Sequence, residues 1–423
     1  MNSWGNYPKQ AHKNYRLIHW RDETALFDTF PVLPRGAGKS YGDSCLNENG
    51  VLICTRVLNR MITFDRNTGV LCCEAGITIK DILDVVTPKG WILPVMPGTQ
   101  YVTIGGAIAN DVHGKNHHQR GSFGCHVIQF ELLRSDHSRH LCSREHNAAL
   151  FYATIGGLGL TGLILWAEIQ LMPLRGASME VTIKPFYTFE EYQALNVESE
   201  KTHEYTSAWI DGTPGGVGIY FAANHVDQKK INRSRSVRIP AYCPNITLNN
   251  ITISIFNRLY VRAQLSKSAH KLIQSISQHL FPLDHVHQWN LLYGTRGLVQ
   301  YQCVVPSLHS ITELLATVSR AGEKPFLSVL KTFGDIQSGG LLSFPATGLT
   351  LAMDFPFKGK KTLAMLDALD HIVMRVGGRV YPAKDARMSP GAFRCYFPQL
   401  ALFQLQKDSG FSSSFWRRVM GDE

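Results

Sequence analysis

Through the first 175 residues the apolar positions come in short runs between glycine-rich turns, too brief for most helices. Val51–Thr55 (VLICT), Leu71–Ala75 (LCCEA), Gln129–Leu133 (QFELL) and Leu163–Leu171 (LILWAEIQL) read as strands. Ile79–Val86 places its apolar residues at helical spacing, and Asn147–Thr154 predicts a second short helix with Asn147 as its cap. From about Arg175 the character changes. Ser207–Ile210, Val299–Val305 and Leu349–Phe355 predict strands, and Ser266–His279, Ser310–Ala321 and Lys361–Val376 predict helices. Gln228–Thr252 is polar and Asn-rich with few periodic apolar positions, which predicts a long loop or lid. From Arg379 the chain returns to a compact polar motif, YPAKDAR. The class is α+β: a first domain over 1–175, a second inserted over 176–377, and a closing segment over 378–423 that returns to the first.

Composition narrows this picture. A length of 423 residues exceeds what one ordinary core holds, and 44% hydrophobic with 18% charged residues suits two packed globular domains. Nine cysteines show no Cys-x-x-Cys spacing and no disulfide-scaffold density, so reduced, mostly buried thiols and a cytoplasmic location are expected. The opening MNSWGNYPKQAHKNY has no apolar run, so no signal peptide is expected, and the apolar stretches near 102–109 and 160–174 are too interrupted to span a membrane. The net charge of +10 is spread along the chain rather than clustered. That argues against nucleic acid and leaves an anionic ligand, a membrane surface or a merely solvated basic surface.

Four glycine or polar clusters stand out. Pro34–Asp43 (PRGAGKSYGD) mixes small residues with Arg, Lys and Asp, the composition of a loop whose backbone N–H groups cradle an anion. Its Gly38-Lys39-Ser40 resembles the end of a P-loop, but that motif needs a glycine where Leu33 stands. Pro97–Ala107 (PGTQYVTIGGA) runs into Asn110–His118 (NDVHGKNHH) and then GSFG, the densest glycine-plus-polar stretch of the chain. His113 and His117 have the spacing of a zincin pair, but Gly114 replaces the required Glu, so no metal site is expected. Gly157–Gly162 (GLGLTG) matches a dinucleotide fingerprint formally, yet a strand rather than a helix follows it, which rules out a nicotinamide site. Tyr381–Arg387, read alone, is an ordinary solvated element, and the polar residues of QYQC and FLSVLK could equally belong to half-exposed strands.

Together RGAGKSYGD, PGTQYVTIGGAIANDVHGKNHHQRGSFG and ATIGGLGLTG resemble the vanillyl-alcohol-oxidase/PCMH class of FAD proteins. HGKNHH with GSFG is similar to the branch of decaprenylphosphoryl-β-D-ribose 2′-oxidase, a likeness that continues through SAWIDG, QYQCVVP, FLSVLKTFG, MDFPFK and YPAKDAR. The resemblance implies a PCMH-type FAD-binding fold of two subdomains with an inserted antiparallel-sheet substrate domain. It assigns the FAD phosphates and ribityl chain to Arg35, Gly36, Ala37, Gly38, Lys39, Ser40, Tyr41, Gly42 and Asp43, with Gly98, Thr103, Ile104, Gly105 and Gly106. His113, Gly114, Lys115, Asn116, Ile164 and Tyr381 complete the flavin site. Lys39 stands where many class members carry a tethering histidine, which implies non-covalent FAD.

Alcohol oxidation needs a hydride acceptor, a group for the hydroxyl proton and a pocket that holds the carbon. By resemblance FAD is the first, and Lys384 takes the proton or stabilises the developing charge, with Lys331 and Tyr301 on the substrate side and Tyr41 closing the site. Trp209, Gln302 and Thr350 are expected to line the substrate pocket. Close relatives often carry asparagine at Thr350 and cysteine at Ala352, a departure that bears on the substrate rather than the redox chemistry. The resemblance implies oxidation of a polyprenyl-phospho-sugar or related glycosyl alcohol as half of an epimerisation in cell-envelope polysaccharide synthesis. An NAD-dependent short-chain reductase would be the partner and the inner membrane face the contact. The alternatives are an alditol or aldonolactone oxidase using dioxygen, and a non-catalytic flavin-binding subunit.

Overall fold

Val51–Cys54 has no polar side chain and is buried at all four positions, as the centre of a three-stranded parallel sheet flanked by Asn14–Leu17 and Val32–Arg35. The computed structural model describes residues 2–10, 14–23, 27, 29–227, 236–267 and 271–421. A second, antiparallel sheet follows in the order Met61–Phe64, Val70–Glu74, Leu163–Gln170, Val127–Leu133, Arg139–Ser143. The helix Ile79–Val86 starts at a capping box in which Thr78 accepts from the Asp81 N–H and Asp81 accepts from the Thr78 N–H. Its buried Ile79, Ile82, Leu83 and Val86 form one helical stripe. Ala148–Thr154 is helical too, but Asn147 does not cap it with its side chain, which donates to the Leu141 carbonyl; its backbone stands at φ 50°.

The third sheet has eight antiparallel strands: Leu272–Ser275, Ser178–Phe186, Gly218–Val226, Tyr205–Ile210, Leu327–Phe333, Gly348–Pro356, Leu298–Val305 and Arg379–Val380. Strand parity gives its two faces different tasks. Val299, Tyr301, Cys303 and Val305 join Leu351, Met353 and Phe355 in one core with the helices Leu308–Arg320 and Lys360–Arg375. Gln300, Gln302, Lys331 and Ala352 face the opposite way, over a cavity shared with the first two sheets. Each aliphatic side chain fully buried on the helix side contributes about 1.5–3 kcal/mol, so this parity is strongly held.

Two expectations change here. Ser266–His279 is not one helix: Leu272–Ser275 pairs with Ser178–Val181 as an edge strand, and only Ile276–Leu280 is helical beyond it. Sheet pairing has overridden local helical spacing. Of the expected loop Gln228–Thr252, residues 228–235 lie outside the described residues. Val237–Arg238 pairs with Val286–His287, and Asn249 caps a helix over Asn250–Leu265. Beyond Val380 the chain runs through the helices Pro390–Tyr396, Leu400–Gln406 and Ser414–Met420 to the first sheet, where Phe411 bridges Val32. Arg418 holds the buried Asp43 (2.7 Å) and Asp385 (2.9 Å) together. Five of the nine cysteines are buried and Cys395 is exposed. No helix among the described residues is long and apolar enough to cross a membrane.

Candidate active site

A cavity of about 1000 Å3 lies between the eight-stranded sheet and the glycine-rich loops. Its first wall is the loop that leaves the Val32–Arg35 strand. The backbone N–H groups of Gly36, Ala37, Gly38, Lys39 and Ser40 have no acceptor among the described residues, and the run ends where Tyr41 N–H donates to the Ala383 carbonyl (2.9 Å). Consecutive unused N–H groups lining a cavity form an anion cradle. Two of its residues must be glycine: a Cβ on Gly36 would lie 2.1 Å from Thr103 Oγ1, and Gly38 has φ +61° with the Arg35 guanidinium 2.2 Å from any Cβ.

The second wall is the short helix Ile104–Ala109, capped by Thr103. Its opening N–H groups are already used: Ile104 donates to the Ile77 carbonyl, Gly105 to Ala75, and Gly106 to Thr103 Oγ1 (3.2 Å). Thr103, Gly105 and Gly106 therefore shape the cavity sterically and Gly98 lines it, whereas the Ile104 side chain belongs to the core.

The third wall is the HGKN turn. Gln302 donates to His113 Nε2 (2.9 Å), which puts the ring proton on Nδ1. Burial, with Lys331, His117 and Lys384 nearby, holds His113 well below the usual histidine range, so the ring is neutral. Its Nδ1 is buried without a partner, a loss of about 1–3 kcal/mol unless a ligand accepts from it. Lys115 Nζ donates to the His279 carbonyl (2.5 Å), and burial with Lys331 pushes its pKa down to about 7. Tyr381 stacks on Phe344, donates to the Asn110 carbonyl (2.9 Å) and fixes that corner. Ile164 and Gly114 also line the cavity.

Lys384 and Lys331 close the sheet side. Lys384 Nζ sits 3.8 Å from the centre of the Tyr41 ring. Burial pushes Lys384 down; Asp354 opposes that shift and Lys331 adds to it. Burial alone brings Lys331 down to about 8. Behind them Asp354 is fully buried, and the same burial pushes its carboxyl up. One of its oxygens accepts a short hydrogen bond from Gln300, and Oδ2 has no partner. The site thus holds three lysines, Lys115, Lys331 and Lys384, and a carboxylic acid that all titrate toward neutrality. Lys39 is also desolvated and rests on the Trp4 ring, 3.7 Å from its centre.

Of the residues expected from sequence, Arg35 through Tyr41, Gly98, Thr103, Gly105, Gly106, His113, Gly114, Lys115, Ile164, Trp209, Gln302, Lys331, Tyr381 and Lys384 line this cavity. Six stand elsewhere. Tyr301 is on the helix side of its strand and donates to Asp370 Oδ1 (2.9 Å), so its position does not suit a role in substrate chemistry. Thr350 is fully buried one layer back, where it accepts from Gln302 (3.2 Å); Ala352 is the wall residue on that strand. Asp43 is spent on Arg418, and Gly42 is wedged where a Cβ would lie 1.5 Å from the Asp385 carbonyl. Asn116 donates to the Pro94 carbonyl and Glu204, and Ile104 is core. Gln300, Asp354, Trp4 and Tyr260 were missed. Parity with Gln302 would have found Gln300, and parity with Thr350 and Ala352 would have found Asp354, whereas nothing local marks Trp4 or Tyr260. Among the described residues no group of three or more His, Cys, Asp or Glu could hold a metal ion.

The FAD binding domain family matches residues 23–143. Decaprenylphosphoryl-β-D-ribose oxidase of Mycolicibacterium smegmatis is 34% identical over 412 residues, covering 92% of this chain and 89% of its own. An uncharacterised protein of Streptomyces coelicolor is 32% identical, covering 81% of this chain and 100% of its own. Cytokinin dehydrogenase 4 of Oryza sativa is 28% identical over 62% of this chain and 49% of its own.

Proposed function

We infer the reaction from one premise: this chain belongs to the vanillyl-alcohol-oxidase/PCMH class of FAD-dependent oxidoreductases acting on CH–OH groups, close to decaprenylphosphoryl-β-D-ribose oxidase. The α+β architecture, with an N-terminal FAD-binding domain and a separate antiparallel sheet, is that of the class. On this reading the FAD-binding part spans 1–175 with the return over 378–423, and the substrate part spans 176–377. The residues present fit FAD. The open N–H run of Gly36–Ser40 suits a pyrophosphate, the missing Cβ atoms keep that cradle open, and the unpartnered His113 Nδ1–H awaits a ring acceptor. Gly36–Ser40 would hold the phosphates, and His113, Lys115, Ile164 and Tyr381 the ring. Lys39, engaged on Trp4, replaces the tethering histidine, so the FAD is held without a covalent bond.

Bound FAD supplies the hydride acceptor. Lys384 supplies the other half of the chemistry. Burial and the neighbouring Lys331 favour its neutral amine, which takes the hydroxyl proton at Nζ, and the Tyr41 ring fixes where that atom stands. Asp354, whose charge opposes the fall in the Lys384 pKa, is the counter-group that stabilises the resulting ammonium. Gln302 holds His113 in one tautomer and presents its amide to the cavity, and Trp209 forms a flat wall suited to a sugar face.

We read the substrate as a secondary alcohol on a polyprenyl-phospho-sugar, oxidised at the 2′ position as half of an epimerisation that an NAD-dependent short-chain reductase completes. The lysines on the cavity wall suit its phosphate, and a lipid-borne substrate places the enzyme at a membrane surface, on its cytoplasmic side. The observation that carries the reading is the co-location of the open Gly36–Ser40 cradle and the desolvated Lys384 in one cavity. It is tested by acid precipitation of the purified protein. Yellow flavin released to the supernatant is expected, and a colourless protein that takes up no added FAD would overturn it.

A further inference from the structure

The helix Asn250–Leu265 is built inside out. Its well-formed capping box at Asn249 leads into sixteen residues of which only Ile253 and Asn257 are buried, and Asn257 donates to the Asp211 carbonyl (3.3 Å). Ile251, Ile255 and Leu259 meanwhile stand 73%, 53% and 62% exposed. A spacing of four puts them on one stripe. Arg258 and Arg262 are exposed beside that stripe. Scattered exposed apolar residues are ordinary, but an aligned row interleaved with arginines does nothing for the folded chain itself. The surrounding sequence is one-sided in charge as well: among the described residues from Ser236 to Leu283 there are five Lys and Arg and no Asp or Glu. On its other side the same helix contributes Tyr260 and Gln264 to the cavity wall, and Phe256 lines the cavity while staying 43% exposed, which marks this end as the opening.

We propose that the outer face of this helix docks on an anionic lipid bilayer and delivers the cavity opening to a substrate held in that bilayer. Apolar side chains on such a helix enter the acyl boundary, and arginines beside them meet lipid phosphates. A second copy of the chain would bring the same basic surface and be repelled. The proposal deepens the lipid-linked reading of the substrate and rests on it for the purpose of docking, not for the surface itself.

The test uses the full-length FAD-loaded protein, sedimented with vesicles of phosphatidylcholine alone or mixed with phosphatidylglycerol, at low and high salt. Binding to the anionic vesicles only, weakened by salt, is expected. Each arginine removed in Arg258→Gln and Arg262→Gln should lower partitioning about fivefold, and Ile255→Asp with Leu259→Asp should abolish it. Flavin content and bleaching by a soluble short-chain glycosyl phosphate should stay unchanged in all of these variants. Absence of vesicle binding, equal binding to neutral vesicles, binding indifferent to the variants, or a dimer that Leu259→Asp dissociates would each overturn the proposal. If vesicle binding behaves as expected but no glycosyl phosphate bleaches the flavin, the substrate reading fails and the docking surface stands.

Discussion

Gly36→Ala is the smallest change that challenges the anion cradle. The new Cβ would lie 2.1 Å from Thr103 Oγ1 and 3.1 Å from its Cγ2, where ordinary contact begins at 3.4 Å. More than 1 Å must therefore be found. If Thr103 yields, it gives up the hydrogen bond that caps the Ile104–Ala109 helix, at about 1 kcal/mol. If the loop yields, one extra methyl in a tight contact costs about 1–3 kcal/mol and turns the N–H run out of alignment. Either route costs about 1–3 kcal/mol, or about 5- to 150-fold weaker FAD binding if the strain falls on the bound state. The assay is titration of the apo-protein by quenching of flavin fluorescence, with thermal unfolding measured with and without FAD. Gly391→Ala is the control, because a Cβ there meets nothing within 4 Å. Wild-type FAD affinity in Gly36→Ala would show that the phosphates bind elsewhere.

Four further outcomes follow from the same geometry. Lys384→Met should slow substrate-dependent flavin reduction by about 100-fold or more while leaving FAD content intact, as checked by anaerobic stopped-flow. A base must be neutral to act, so the reduction rate should rise with pH as Lys384 loses its proton and be lost below that range, which burial has moved down from the ordinary lysine value. Asp354→Asn removes the charge that favours the ammonium and should move that limb of the pH–rate profile to lower pH. Arg418→Gln leaves the buried Asp43 and Asp385 facing each other without their cation, which should destabilise the fold by about 3–5 kcal/mol in denaturant titration.

Much of the fold was legible because local rules and tertiary environment agree. VLIC is buried on both sides and contains nothing but strand-compatible apolar residues, and the apolar spacing of Ile79, Ile82, Leu83 and Val86 announces that helix in the sequence. The reading failed where distant pairing decided the outcome. Leu272–Ser275 became a strand only because Ser178–Val181 offered an edge. The helix after Asn249 escaped notice because its apolar positions do not face a core. The site divides in the same way. Glycine clusters are visible in sequence because the backbone itself is the functional group. Tyr301 and Thr350 could be placed only once strand parity and layer depth were known, and Asp354 owes its chemistry to burial contributed by several strands.

The central claim is that this cavity couples FAD to the oxidation of a sugar hydroxyl. Its most direct test is the visible spectrum of the FAD-loaded protein, followed anaerobically as polyprenyl-phospho-sugars, short glycosyl phosphates and alditols are added in turn. Bleaching of the flavin band by a glycosyl phosphate, with one equivalent of carbonyl product, is the predicted result. A flavin that stays oxidised with every sugar alcohol, or is bleached by alditols alone, would contradict the account.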